Sequence, residues 1–393
     1  MKVRFFDHSA TTPVDERVLE AMMPYFSKNY GNPSSVYSLG KENKEVINIS
    51  RMKIANILNC KTNEIYFTSC GSESDNLILK GIAFANKRLG NHIITTKIEH
   101  PAILNTCKTL EKFGFRITYL SPKENGIIDI NELENSITPK TILISVMFAN
   151  NEIGTIQPIK EIGEIAKKYR IYFHTDAVQA IGNIKIDLKQ YNIGALSLSA
   201  HKFYGPKGMG IAYINENIPF IRIQDGGHQE RDKRAGTENV PGIVGLCSAL
   251  EIANNNIETY NRHLRNLRDF YVSEIEKGVP NIRINGDRKI RLSGNSNISF
   301  YGVDGSKLLA ELDKKGICAS SGSACSAGLL NPSHVLLAIG VPNSLARSSL
   351  RITFGKDNTV EDTRYLIENL KEIINMLRGN KWIVNWKIII RFI

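Results

Sequence analysis

Two apolar segments that each lead to a charged side chain constrain the fold of this chain more than any other feature. The first, IYFHTDAVQ at residues 171–179, delivers Asp176, and the second, ALSLSAHK at residues 195–202, ends at Lys202. Strand-like segments that alternate with helical patterns predict a parallel, doubly wound sheet. Such sheets bind ligands at the carboxyl ends of their strands, so we expect Asp176 and Lys202 to face one ligand site.

Lys202 and Asp176 together suit one kind of cofactor chemistry. Burial at the end of a strand disfavours the ammonium form of a lysine and frees the amine as a nucleophile that can form a Schiff base. Pyridoxal phosphate (PLP) needs such a lysine, and it also needs an Asp partner for its pyridine nitrogen. Taken singly, Lys202 would more often be a surface lysine, and Asp176 could equally be a helix N-cap.

Further polar residues stand where a phosphate-bearing ligand could use them. Gly71 and Ser72 open a helical pattern, and the N–H groups at a helix N-terminus bind anions, although a plain helix cap is the alternative. His100 precedes a proline at a helix start, and Asn151 follows a continuous apolar run. Arg351 lies within an apolar strand pattern, where its charge needs a partner.

Cys325 stands in a loop made of small residues, ASSGSACSAG at 319–328. Such a loop has little apolar bulk to pack, so we expect an exposed thiol that can move toward a substrate. An incidental thiol is the other interpretation. Cys318 follows an apolar helical pattern, and we expect it to be packed. The six cysteines form no Cys-x-x-Cys pair and no cluster with zinc spacing, so no metal site is expected.

Nine motifs, in this order along the chain, resemble those of the PLP-dependent cysteine desulfurases of the class V aminotransferase family. With the first residue of each in parentheses, they are DHSATTPVD (Asp7), YGNPSS (Tyr30), SESDN (Ser72), EHPAI (Glu99), NNEIGTIQPI (Asn150), HTDAVQ (His174), SLSAHKFYGPKG (Ser197), RAGTEN (Arg234) and SSGSAC (Ser320). The resemblance covers residues 1 to about 379. Enzymes of this family take sulfur from L-cysteine for iron–sulfur clusters and tRNA thiolation.

The resemblance implies a role for each candidate residue. Lys202 would hold PLP covalently, His100 would lie against its ring and move protons, and Cys325 would take the substrate's sulfur as a persulfide. Arg351 would bind the substrate carboxylate with Asn151 nearby, although a structural ion pair of Arg351 is an open alternative. The residues implied in binding PLP are Gly71, Ser72, Asn151, Asp176, Gln179, Ser199, His201, Lys202 and Thr237, the last of which reaches the phosphate of the neighbouring subunit.

The resemblance also implies a homodimer with an α/β fold, the PLP-dependent aminotransferase fold (fold type I). We expect a large PLP-binding domain with a mostly parallel sheet over residues 15–255. A smaller α+β domain would combine residues 1–14 and 256–379 and carry the Cys325 loop. A long helical pattern that begins near Glu251 marks the boundary. In the family a histidine is common where this chain has Tyr37.

Charge and termini restrict the partners. The formal net charge is +11 over 393 residues, but the lysines are scattered and no nucleic-acid motif stands out. Solubility or docking of a protein partner therefore explains the charge better than direct nucleic-acid binding. The N-terminus lacks the apolar run of a signal peptide, and the atypical tail at 380–393 is too short to span a membrane. We expect a cytoplasmic protein with reduced thiols.

We therefore predict a cysteine desulfurase that converts L-cysteine to L-alanine and passes the sulfur to an acceptor protein, either an iron–sulfur scaffold or a tRNA-thiolating enzyme. Three alternatives stay open at this point. A selenocysteine lyase shares the scaffold, and a small-amino-acid aminotransferase would form no enzyme persulfide. A catalytically silent docking partner is the third, and the intact Lys202, Asp176 and Cys325 argue against it.

Overall fold

The architecture is that of a computed structural model, which describes residues 2–321 and 332–379. Cys325 and the tail at 380–393 lie outside these ranges. The strands are β1 (Arg4–Phe5), β2 (Ile65–Thr68), β3 (His92–Thr96), β4 (Arg116–Leu120), β5 (Thr141–Ser145), β6 (Tyr172–Asp176), β7 (Ala195–Ser199), β8 (Gly210–Ile214), β9 (Ile282–Ile284), β10 (Asn295–Phe300), β11 (Ile317–Cys318) and β12 (Ser349–Thr353).

The helices connect and cover these strands. They are α1 (Glu16–Met22), α2 (Pro24–Ser27), α3 (Ser38–Leu58), α4 (Gly71–Ala85), α5 (Pro101–Lys112), α6 (Ile130–Asn135), α7 (Ile159–Tyr169), α8 (Gln229–Asp232), α9 (Val240–Gly278), α10 (Gly305–Lys314), α11 (His334–Ala338), α12 (Asn343–Ala346) and α13 (Val360–Arg378). Short 3₁₀ turns lie at Thr62–Glu64 and Ala200–Lys202.

A seven-stranded sheet in the order β2-β8-β7-β6-β5-β3-β4 forms the centre of the larger unit. Every pair from β7 to β4 is parallel, and β8 runs antiparallel to both of its neighbours. All residues of β3, β5, β7 and β8 are buried, as expected for strands of a sheet whose two faces are both covered. The predicted mostly parallel α/β sheet is therefore present.

A smaller unit packs around its own core. The strands β12, β10 and β9 form an antiparallel sheet, and β1 pairs in parallel with β11. Phe6, which follows β1, is fully buried in the same core as the C-terminal half of α9 and as α13. The beginning and the end of the chain thus share one hydrophobic core, while the expected limits at 1–14, 15–255 and 256–379 stay predictions.

The helix α9 differs from its prediction. The sequence pattern placed its start near Glu251, whereas the helix begins at Val240 and runs for 39 residues. Asn239 caps it by accepting a hydrogen bond from Gly242 N, and Pro241 stands in the first turn, where proline is tolerated. Its first half packs in the core of the large sheet and its second half in the smaller core, so one continuous helix joins the two units.

No helix in the two described ranges is both long enough and apolar enough to cross a membrane.

Candidate active site

A cavity of about 250 Å³ opens at the carboxyl ends of β6 and β7. These strands end at Asp176 and Ser199, and the turn after β7 brings Lys202 to the same wall. Of the predicted site residues within the described ranges, the fold places all but Thr237 at one cavity. These residues are Gly71, Ser72, His100, Asn151, Asp176, Gln179, Ser199, His201, Lys202 and Arg351.

Lys202 is held against the segment that follows β1. Its Nζ donates hydrogen bonds to Ser9 O at 2.6 Å and to Ala10 O at 2.7 Å. Gln179 Nε2 donates to the same Ser9 oxygen at 3.0 Å, and Ser9 N donates to Thr353 Oγ1 at 2.9 Å. The N-terminal segment therefore fixes the position of the Lys202 amine, a long-range contact that the sequence analysis did not predict.

Asp176 and Asp75 place two buried carboxyl groups on the cavity wall. Asp176 accepts a hydrogen bond from Val178 N at 2.9 Å. Desolvation raises the pKa of both carboxyl groups, and the charge of Asp176 raises the pKa of Asp75 further. Asp75 Oδ1 has no hydrogen-bond partner among the residues that the structure describes. A ligand cation beside Asp176 would oppose this desolvation and favour its ionised form.

Sequence reasoning missed Asp75, although a signal for it exists. Asp75 lies in the first turns of α4, three and four residues before Ile78 and Leu79, which are both fully buried. Residues at this spacing share one helix face, so the sequence pattern places an acidic residue on the apolar face of α4. Buried carboxyl groups with a strongly raised pKa, such as that of Asp75, cluster at functional sites.

His174 lies close to Asp75 and is neutral. Its Nδ1 is 2.9 Å from Ser145 Oγ and its Nε2 is 3.0 Å from Ser197 Oγ. Complete burial lowers the pKa of His174 to about 3. At 3.8 Å from Asp75 Oδ1, its Nε2 therefore forms no charged pair with that carboxyl group near neutral pH. Neutral hydrogen bonds to Ser145 and Ser197 therefore hold His174 in place beside Asp75.

His100 is oriented by its place at the start of α5. Its Nδ1 accepts a hydrogen bond from Ala102 N at 3.2 Å, so the proton of the neutral ring lies on Nε2. Desolvation lowers the pKa of His100, while the charge of Asp176 acts in the opposite direction. His100 is therefore a neutral imidazole near pH 7 that can donate a hydrogen bond from Nε2.

The start of α4 forms a cradle for an anion. Cys70 occupies the N-cap position but makes no side-chain capping bond within the described chain, so the N–H groups of the first turn are available. A Cβ on Gly71 would lie only 2.6 Å from Val178 Cγ2, so only glycine lets the helix start so close to the loop after β6. Ser199 Oγ, also on this wall, is buried without a hydrogen-bond partner in the described ranges.

His201 completes the same side of the cavity. Its Nδ1 is 3.1 Å from Thr11 Oγ1, which orients the ring. Burial lowers the pKa of His201 to about 4, and the neighbouring Lys202 adds to this effect. A bound phosphate group would accept hydrogen bonds from the Ser199 hydroxyl and from the N–H groups at the start of α4, both of which lack a partner within the described chain.

Arg351 is buried and already ion-paired. It is 1% exposed, its Nη2 donates to Asp7 Oδ1 at 2.6 Å, and its Nη1 donates to Asn151 O at 3.1 Å. The structural ion pair that the sequence left open is therefore present. Arg351 Nε has no hydrogen-bond partner among the described residues, so the guanidinium retains donor capacity at the cavity.

Two predicted positions, Thr237 and Tyr37, lie apart from this cavity, and a third is not among the described residues. Thr237 lines a different cavity of about 190 Å³, together with Phe67, Arg234 and Gly236. Tyr37 is an exposed residue at the start of α3. Cys325 lies outside the described residues. Within the described ranges, no group of three or more His, Cys, Asp and Glu side chains could hold a metal ion.

Comparison with known proteins identifies the family. Residues 4–366 match the family described as aminotransferase class-V. The chain belongs to this family. It is 53% identical over 376 residues to the cysteine desulfurase IscS of Clostridium botulinum, with 95% of each chain covered. It is 54% identical over 378 residues to the IscS of Methanosarcina thermophila, with 96% of this chain and 93% of that protein covered.

Solved structures give the same result. The fold matches a NifS-like protein with a TM-score of 0.90 and 39% identity, over 95% of this chain and all of that one. A NifS-like protein from Rickettsia africae matches with a TM-score of 0.86 and 33% identity, over 95% of this chain and all of that one. These similarities confirm the predicted family and the class-V aminotransferase fold, and they indicate a PLP-dependent enzyme of the cysteine desulfurase type.

Proposed function

We propose that this protein binds PLP in the 250 Å³ cavity and catalyses the conversion of L-cysteine to L-alanine with transfer of the sulfur to Cys325. The observation that carries the proposal is the joint presence, on one cavity wall, of Lys202, the buried Asp176 and an anion cradle with an orphaned hydroxyl. Each of these groups matches one part of PLP, namely its aldehyde, its ring nitrogen and its phosphate.

Different cavity residues would bind different parts of the cofactor. Asp176 would hold the ring nitrogen, and its ionised form becomes favourable once that nitrogen carries a proton. Asn151 would meet the ring hydroxyl, Gln179 would tune the ring with Asp176, and His100 would lie against its face. The phosphate would be bound by Gly71 and Ser72 at the start of α4, together with Ser199 and His201. When bound, PLP supplies an electron sink that weakens the bonds around the substrate's α-carbon.

Lys202 and His100 then move the protons. The Lys202 amine, which the carbonyls of Ser9 and Ala10 position, takes and returns the proton of the substrate's α-carbon. His100 would assist by donating a hydrogen bond from Nε2, because its Nδ1 accepts from Ala102 N. Arg351 orients the substrate through its carboxylate. These residues bind and orient the amino acid so that the β-carbon and its sulfur are presented for attack.

Cys325 is the proposed sulfur acceptor. Its thiolate attacks the sulfur of L-cysteine and forms a sulfur–sulfur bond. The carbon–sulfur bond breaks, its electron pair stays with the β-carbon, and the β-carbon takes up a proton. The products are L-alanine and a persulfide on Cys325, so the step needs no external oxidant or reductant. The described chain supports this assignment because Ser320, five residues before Cys325, lies beside the cavity: Arg351 N donates to Ser320 O at 2.6 Å.

The assembly is proposed to be a homodimer in which Thr237 reaches the phosphate of the neighbouring subunit. Large exposed apolar side chains support a subunit interface, among them Phe26, Tyr30 and Val36 near the N-terminus and Ile221 nearer Thr237. The persulfide would then pass to an acceptor protein, either an iron–sulfur scaffold or a tRNA-thiolating enzyme. The unpaired cysteines of the described chain agree with a reducing, cytoplasmic setting.

The test of this function uses the Cys325→Ser variant. We expect it to retain bound PLP and binding of L-cysteine but to lose alanine and sulfide production by about 100-fold or more, because a hydroxyl is a far poorer nucleophile than a thiolate. Sulfide and alanine are measured together after addition of L-cysteine, and mass mapping without reductant should find one extra sulfur on Cys325.

Matched variants separate the alternatives. Cys60→Ser removes a half-buried thiol in the large unit and should leave turnover largely intact. Lys202→Ala should prevent the PLP–lysine adduct that borohydride reduction fixes in the parent protein. Wild-type sulfide release by Cys325→Ser would contradict the desulfurase mechanism. Formation of a 2-oxo acid without any dependence on Cys325 would identify an aminotransferase instead.

A further inference from the structure

Arg351 reaches the active-site cavity with an anion already bound to it. Asp7 Oδ1 accepts from Arg351 Nη2 at 2.6 Å, and the Arg351 side chain is 1% exposed while that of Asp7 is 13% exposed. A guanidinium that is buried this completely needs a counterion. Any further carboxylate that binds to Arg351 must therefore share it with Asp7, because a negative charge is already in contact with it.

Asp7 is fixed from several directions. Its second oxygen, Oδ2, accepts from Ser320 Oγ at 2.6 Å. Its backbone pairs with Thr353 on β12, two residues after Arg351, and its carbonyl accepts from Ala10 N at 2.9 Å. Since the Ala10 carbonyl also accepts from Lys202 Nζ, one short segment carries both the counterion of Arg351 and the support of Lys202. Asp7 is therefore built into the site and is not a chance surface partner.

We propose that Asp7 is a positioning residue that sets the affinity of the cavity for the α-carboxylate of an amino acid. Asp7 holds the Arg351 guanidinium in place and partly neutralises it, so that substrate and product carboxylates bind moderately and leave again. The proposal rests on the proposed function, in which Arg351 receives the substrate carboxylate. Two carboxylates on one guanidinium repel each other, so the resident carboxylate weakens the binding of the incoming one.

The contact with Ser320 adjusts the same balance. The Ser320 hydroxyl donates to Asp7 Oδ2 and so draws part of the carboxylate's charge away from Arg351. Removing this donor should make Asp7 a stronger partner of Arg351. Loss of the Asp7 charge and loss of the Ser320 hydroxyl are therefore expected to change carboxylate binding in opposite directions.

The experiment measures equilibrium binding by titration calorimetry on the purified holoenzyme. The probes are L-alanine, which has the carboxylate but no sulfur, and L-alaninamide, which lacks the carboxylate charge. Asp7→Asn keeps the shape and an acceptor for Arg351 but removes the charge. We expect it to lower the Kd for L-alanine about tenfold, because the partly screened repulsion between the Asp7 carboxylate and the ligand carboxylate is lost. The Kd for L-alaninamide, which has no carboxylate, should change less than about twofold.

Two further variants complete the design. Ser320→Ala should raise the Kd for L-alanine about two- to threefold with no matching change for L-alaninamide. Asp362→Asn is the matched control, since Asp362 is a carboxylate of the smaller unit that likewise pairs with an arginine, Arg4, at 3.2 Å. Its partners Lys2, Arg4 and Thr359 do not line the cavity, whereas Asp7 contacts Arg351, which does, so we expect Asp362→Asn to leave both Kd values unchanged.

The outcomes separate the two proposals. If the parent enzyme prefers L-alanine to L-alaninamide but neither Asp7→Asn nor Ser320→Ala changes that preference, the role of Asp7 is wrong and the proposed function stands. The role of Asp7 is equally wrong if Asp7→Asn changes the Kd of both probes by the same factor, or if a folded Asp7→Asn variant binds L-alanine more weakly than the parent. If the parent enzyme shows no preference for the carboxylate, both the role of Arg351 and that of Asp7 are overturned. Should Asp7→Asn fail to fold, the sign of the Ser320→Ala effect decides.

Discussion

Individual buried residues of this protein carry unusual protonation states, and Glu99 shows how one of them acts on stability. Glu99 is fully buried beside His100, and its Oε1 accepts from Met147 N at 3.0 Å and from Thr96 Oγ1 at 2.8 Å. Desolvation raises the pKa of Glu99 from 4.5 to about 8. The folded protein therefore keeps a proton on Glu99 at pH values where the unfolded chain has already lost it.

The stability consequence has a definite sign. Between about pH 4.5 and pH 8 the folded state binds more protons than the unfolded state, so the free energy of unfolding falls as the pH rises through this range. Glu99→Gln removes this dependence while an amide oxygen still accepts from Met147 N and Thr96 Oγ1. We expect the variant to gain stability relative to the parent from pH 5 to pH 8, on the order of a few kcal/mol.

Urea unfolding at pH 5, 6.5 and 8 measures this difference. Glu164→Gln, an exposed position of α7, is the control that should show no such trend. A stability difference between Glu99→Gln and the parent that stays constant over the three pH values would mean that Glu99 is ionised when folded. In that case His100, which follows Glu99 directly, would have an ionised carboxylate as its neighbour and not a protonated one.

At the scale of elements, the close approach of α4 to the loop after β6 determines how the proposed phosphate site is built. A Cβ at Gly71 would lie 2.6 Å from Val178 Cγ2, so Gly71→Ala must push the helix start away from the loop. We expect this variant to bind PLP about tenfold more weakly, because the N–H groups of the first turn move with the helix. Equilibrium titration of the apoenzyme with PLP measures the effect.

The double variant Gly71→Ala/Val178→Ala provides the rescue. Val178→Ala removes the methyl group that the new Cβ would strike, so the helix start can return and most of the PLP affinity should be restored. Val178→Ala alone serves as the control for the loss of its own packing. Equal weakness of Gly71→Ala and the double variant would show that the close contact is not what makes glycine necessary there.

The same elements show what a sequence can predict. Local patterns place strands directly before Asp176 and shortly before Lys202, and β6 and β7 lie there, because apolar segments that end in polar residues are typical of buried strands. The start of α9 was placed 11 residues too late, since Pro241 and Gly242 resemble a loop although the first helical turn accepts them. The ion pair of Asp7 with Arg351 joins positions 344 residues apart, and no local pattern reports such a partner.

Recognition of the site therefore depended on two sources. The order of strands and their polar ends predicted that Asp176 and Lys202 would meet, since parallel strands bring their carboxyl ends to one edge. The assignment of His100, Asn151 and Arg351 to the same cavity came from the family resemblance. Asp75 escaped because a single acidic residue in a helix is usually exposed, and only the packing of α4 shows that it is not.

At the scale of the whole molecule, the open question is which subunit completes each active site. Thr237 lines a cavity of about 190 Å³ that contains none of the other proposed PLP-binding residues. Within one chain, Thr237 therefore has no place at the Lys202 cavity. A homodimer in which each subunit lends Thr237 to the other would explain this separation, because symmetric interfaces exchange the same residue in both directions.

Mixed dimers test this arrangement directly. A Lys202→Ala subunit paired with a Thr237→Ala subunit has one site that carries both changes and one site that carries neither, provided that the sites are shared. Random mixing gives one half mixed dimers, so about a quarter of all sites should be intact and about a quarter of the parent's sulfide production should return. Each variant prepared alone should be far below this value. If co-expression of the two subunits yields only the average of the separate variants, each site is completed within one chain and the crossing of Thr237 is wrong.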